Sequence, residues 1–95
     1  MGMIVGVCTV ELHFPAPQSL KGKRQVLKSL TTRLRGRFNI AVAEVDEHDL
    51  WQKAILGITC VANESGVVNQ TLDQVLNVIQ DNPSIQLLRS HIELL

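Results

Sequence analysis

The sequence predicts an α+β protein, a four-stranded antiparallel sheet with two helices on one face. Three observations point there. Two stretches carry apolar residues at helical spacing, around Leu20–Phe38 and Val68–Ile79. Four other segments have strand length and apolar or alternating patterns. They follow one another as strand, helix, strand, strand, helix, strand.

Met3 to His13 alternates: Ile4, Cys8, Val10 and Leu12 fall on one side, and Val5, Val7, Thr9, Glu11 and His13 on the other. Pro15-Ala16-Pro17 stops the strand, because proline cannot extend a ladder and restricts the residue before it. Ser19 is placed to cap a helix reaching about Phe38, whose stripe is Leu20, Leu27, Leu30, Leu34 and Phe38, with Val26 at its margin. A second strand is expected over 39–46 and a third over 50–62, joined by a short turn at Glu47-His48-Asp49. Asn63 to Gly66 opens a second helix with the stripe Val68, Leu72, Val75, Leu76 and Ile79, and Asn82-Pro83 ends it. Ile85 to Leu95 forms the last strand. Right-handed crossovers fold a βαββαβ chain as a ferredoxin-like sandwich, the split βαβ arrangement, here a single domain over residues 1–95.

Composition narrows the function classes. The 95 residues are 45% hydrophobic and 19% charged, with nine Lys+Arg against nine Asp+Glu, which excludes intrinsic disorder and leaves one core. No apolar run approaches the ~20 residues that span a bilayer, so no membrane association and a cytoplasmic location are expected. Cys8 and Cys60, the only cysteines, sit in apolar alternating stretches and read as buried thiols, neither a disulfide framework nor a zinc motif. The six glycines are dispersed, with no phosphate loop, and no cofactor is expected.

Charge is balanced globally but not locally. Lys21, Lys23, Arg24, Lys28, Arg33, Arg35 and Arg37 hold seven of the nine basic positions within 21–37, with no acid among them. At 100° per residue, Lys21, Arg24, Lys28 and Arg35 cluster within about 60° of arc away from the leucines. Lys23 falls on the apolar arc, where a long stem is expected to snorkel out. Cations at a helix start oppose the dipole, and like charges at i,i+4 add to the cost. An anion bound there would offset both, and these seven residues are the candidate anion or RNA contacts.

The competing reading is internal neutralisation. The turn carrying Glu44, Asp46, Glu47 and Asp49 comes to the edge where the first helix begins, close to Lys21, Lys23 and Arg24. That edge also holds a candidate ligand pocket of His13, Ser19, Asp49 and Trp51. His13 and His48 share it with Asp46 and Asp49, yet their spacing matches no metal motif, so neither a metal site nor a catalytic residue is assigned. Phe14, Phe38 and Trp51 are the only aromatics, too few for a base-stacking platform, so phosphate or shape recognition of RNA is expected, without DNA sequence readout. The sheet face opposite the helices should carry Val5, Val7, Ile55 and Val61 beside Thr9, Thr59, Glu11 and Lys53, more apolar than a solvated face, and a homo-oligomer through it is expected.

Several segments, in order, resemble one family. They are Ile4-Val5-Gly6-Val7, Ser19-Leu20-Lys21-Gly22-Lys23-Arg24, Arg37-Phe38-Asn39, Ala43-Glu44-Val45-Asp46, Asp49-Leu50-Trp51-Gln52-Lys53-Ala54 and Leu56-Gly57-Ile58. Across nearly the whole chain they are similar to the YlxP-like family of small uncharacterised bacterial proteins. The resemblance implies a ferredoxin-like sandwich and a bacterial cytoplasmic protein whose gene often stands among translation-initiation and ribosome-maturation genes. It brings no activity with it. The combined expectation is a non-enzymatic accessory protein binding structured RNA, the candidate partners being ribosomal RNA or the small ribosomal subunit, through its first helix. The alternative is a module binding a small anionic ligand at the Ser19 helix start, and a more distant one is an enzyme using His13, His48 and Asp49.

Overall fold

The alternation of the strands sorts one set of side chains toward the helices, and the sheet forms around the strand that alternates best. The computed structural model describes residues 2–16 and 19–95, so Pro17 of the expected stop lies outside the described residues. The elements are β1 (Ile4–His13), α1 (Leu20–Arg37), β2 (Ala41–Asp46), β3 (Lys53–Ala62), α2 (Ser65–Gln80) and β4 (Gln86–Leu94). They form one sheet of order β2-β3-β1-β4 in which every neighbouring pair is antiparallel. This is the expected ferredoxin-like βαββαβ arrangement.

Register fixes the two faces. Cys8 opposes Ile58 and Ile92, and Val10 opposes Leu56, all on the side covered by both helices. Cys8, Val10, Leu12, Ala54, Leu56 and Ile58 are fully buried there against Leu30 and Leu34 of α1 and Val68, Leu72 and Val75 of α2. The α2 stripe differs by one position: Val78 is buried and Leu76 only partly so. Gly6 marks the closest approach, since a Cβ there would lie 2.9 Å from Leu72 Cδ1 and still nearer Val68 Cγ1. On the other face Val7 opposes Thr59 and Glu93, and Glu11 opposes Ile55 and Arg89. Neither helix of the described chain is long and apolar enough to cross a membrane.

The largest departure from the sequence reading is the β2–β3 connection. The expected third strand from residue 50 starts at Lys53, and residues 47–52 form a longer loop. Its carbonyls are drawn off the sheet toward α1, and Phe14 N–H donates to Gln52 O at 2.8 Å to fix the far end. Glu47 takes a left-handed φ of 64°, which lets the chain turn out of the strand. The second strand likewise starts at Ala41, because Phe38 closes α1 by donating to Leu34 O.

Candidate nucleic-acid interface

α1 begins where the sequence places it. Ser19 is extended and its Oγ accepts from Gly22 N–H at 3.1 Å, satisfying one of the free amides of the first turn. Ser19 is therefore a cap. The helix then buries Leu27, Leu30 and Leu34, and the seven basic residues divide according to that stripe.

Lys23 corrects the expectation. The sequence places it among the anion contacts with its stem snorkelling outward, but its side chain is fully buried. Nζ donates to Glu44 Oε2 at 3.0 Å, Glu47 O at 2.8 Å and Lys53 O at 3.0 Å, with His48 O at 3.4 Å. An ammonium has three protons, and three close acceptors match them. Nothing is left for an external phosphate.

The other six, Lys21, Arg24, Lys28, Arg33, Arg35 and Arg37, are exposed. Among the described residues, the Lys and Arg that pair with carboxylates are Lys23 with Glu44, and Lys53 and Arg89 with Glu11. None of the six is in that set, so the acidic connection neutralises one lysine of α1 and no more. Arg24, Lys28 and Arg35 line a groove of about 210 Å³ between α1 and β2, whose wall is Val42, Ala43 and Glu44. Arg35 Nη2 donates to Val42 O at 2.7 Å, which orients the guanidinium along the groove and leaves its other donors outward. Arg37 lies over its neighbour Phe38, 5.4 Å from the ring centroid. The seven-residue cluster of the sequence thus becomes six exposed cations on the two flanks of the apolar stripe, three of them convergent on the groove.

The expected ligand pocket is only partly assembled. His13 and Trp51 line a cavity of about 270 Å³ with Leu50, Gln52 and Lys53, whereas Ser19 and Asp49 are not among its walls. His13 Nδ1 is 2.8 Å from Gln86 Oε1, and His48 Nε2 is 3.0 Å from Glu44 O. Among the described residues no three His, Cys, Asp or Glu side chains converge as a metal site would require. Both thiols are buried, and burial pushes Cys8 up to about 11, with Asp73 adding to it, and raises Cys60 in the same sense. Periodicity could not find two features: the β2 wall of the groove, and the loop that exposes Leu50 beside Trp51. Both depend on contacts distant in sequence.

Residues 5–92 match the family described as "Protein of unknown function (DUF503)". The chain is 37% identical over 83 residues to the "Uncharacterized protein YlxP" of Bacillus subtilis (strain 168), covering 87% of this chain and 90% of that protein. In structure it is similar to the "De novo designed protein Foldit4", with a TM-score of 0.57 and 8% identity over 98% of this chain and 96% of the other. That likeness concerns the fold alone.

Proposed function

This chain belongs to the DUF503 family, and from that premise we propose that it is a non-enzymatic accessory protein that binds structured RNA through phosphate contacts along α1. The observation that carries the reading is that six exposed cations of α1 have no carboxylate partner among the described residues, and three of them line the α1–β2 groove. Arg24, Lys28 and Arg35 stand four and seven residues apart, so their Cα positions span roughly 17 Å of the helix axis at ~1.5 Å per residue. That is long enough to meet several consecutive phosphates. The aromatics favour this mode over base stacking: Phe14 is fully buried, and Trp51 stands on a loop beside Asp49, away from the groove. The gene neighbourhood of YlxP-like proteins directs the choice of RNA to the small ribosomal subunit, which is an association and not a property of the site.

Co-sedimentation with small ribosomal subunits at rising salt tests the proposal. Binding should weaken steeply with salt, the logarithmic slope falling by about 0.9 for each phosphate contact removed. Arg24→Glu/Lys28→Glu should abolish it while leaving the fold intact. No binding at low salt, or binding indifferent to that pair and to Arg33→Glu/Arg37→Glu, overturns the reading. The small-anion alternative at the Ser19 helix start loses Lys23 as a ligand, and no observation favours it over the groove.

A further inference from the structure

We infer that the uncovered face of the sheet is the interface of a homodimer, two copies stacking sheet on sheet. Both helices pack on the other side, and among the described residues nothing covers this one. Its β1, β3 and β2 positions include Val5, Val7, Ile55, Val61, Ala41 and Ala43, of which Val61, Ala41 and Ala43 are exposed and the other three partly so in the isolated chain. An antiparallel sheet with one solvated face alternates apolar with polar residues, and this one does so only toward β4.

Three features select a second copy as the occupant. The first is charge. The ladder residues Glu11, Asp46, Lys53, Arg89 and Glu93 mix three acids with two bases, and Glu11 already binds Lys53 Nζ at 3.1 Å and lies 4.0 Å from Arg89 Nε. A face whose charges are mixed and partly paired can meet itself with little like-charge repulsion, whereas its slight acidic excess offers nothing to a polyanion. The second is relief. Ala41, Ala43, Gly57 and Thr59 line a shallow hollow with Val5 and Val61 at one rim and Val45 at the other. A hollow rimmed by valines suits the self-complementarity that a two-fold axis demands, at the ~10 Å spacing of packed sheets. The third is area. Four strands ~4.8 Å apart and averaging ~30 Å present roughly 550 Å² per copy, so a pair buries about 1,100 Å², which clears the ~1,000 Å² minimum of a biological interface at its small end. Stacking leaves α1 of each copy on an outer surface, so the inference stands independently of what α1 binds.

Sedimentation velocity on the full chain between about 1 and 100 µM tests it. The chain should reach twice its monomer mass, and Val7→Lys and Val61→Lys should each return it to a monomer. Val61 is 51% exposed, so lysine there burdens the monomer little and the fold survives if Val7→Lys does not. Gln70→Lys, on an exposed position of α2, should remain dimeric. A wild-type chain that stays monomeric throughout, or a dimer that survives Val61→Lys, overturns the inference; the latter result would place the contact elsewhere or with a different protein surface.

Discussion

Replacing Lys23 by methionine should be the most damaging single change among the basic residues of α1, although the sequence alone lets its stem snorkel out from the apolar arc. Methionine keeps the apolar stem and removes only the ammonium. Three acceptors within 3.0 Å lose their donor: a carboxylate that is 20% exposed and two carbonyls of the β2–β3 connection. Breaking a buried pair from one side costs about 3–5 kcal/mol, because the other charge stays desolvated. Glu44 can recover some water at its exposed edge, which places the expected loss near the lower end, about 3 kcal/mol. For a domain of ~100 residues this corresponds to a fall in Tm on the order of 10–20 °C. Urea unfolding followed by far-UV circular dichroism and by Trp51 fluorescence measures it, and Trp51 also reports on the loop that Lys23 ties down. Adding Glu44→Leu should restore at least ~1 kcal/mol by removing the orphaned carboxylate. A loss below ~1 kcal/mol, the range of an exposed lysine, would refute the buried clamp.

The remaining predictions concern packing and thiols. Gly6→Ala should destabilise by roughly 1–3 kcal/mol, since its methyl would press on Val68 and Leu72 in the core, whereas Gly36→Ala, with nothing within 4 Å of its Cβ, should stabilise α1 by ~0.5–1 kcal/mol; thermal melts of the two variants should move in opposite directions. Cys8, held up to about 11, and Cys60, also raised, should resist thiol reagents at pH 8 in the native protein and react on unfolding. Between pH about 9 and 11 the unfolded chain loses thiol protons that the native chain keeps, so stability should fall as pH rises through that window and be unaffected by these groups below it. Native thiolate absorbance at pH 8.5 would contradict the assignment.

Much of this architecture is legible in the sequence because it is periodic. Alternation in Ile4–His13 separates the helix face from the bare face before any partner strand is known, and Ser19 marks a helix start with the right chemistry. What is not legible depends on distant contacts. Lys23 sits on the apolar arc of its helix, a visible anomaly, but its resolution requires Glu44 and the carbonyls of Glu47 and Lys53, at least 21 residues away. The same contacts shorten the third strand: Leu50 and Trp51 continue a strand-like apolar pattern, yet the loop carries them into solvent. The register shifts between Glu11 and Leu12 against β4, and between Glu44 and Asp46 against β3, likewise leave no mark on either strand alone.

The neutral net charge conceals how the charges are arranged. Of nine basic residues, Lys23, Lys53 and Arg89 face carboxylates, and the other six all belong to α1. The acids lie elsewhere: on the β2–β3 connection, on the bare sheet face, and on or beside α2, which has no basic residue at all. Two helices packed on one face of the sheet therefore differ sharply in potential, and neutrality arises by separation more than by pairing. Such a molecule presents the cationic flanks of one helix to its surroundings while repelling its own kind little. Attraction to a polyanion would then be governed by the orientation of α1 and by ionic strength rather than by net charge. The inward-turned Lys23 belongs to the same economy: its partner Glu44, the acid that walls the groove, is already held by that ammonium and opposes Arg24 and Lys28 less than a free carboxylate would.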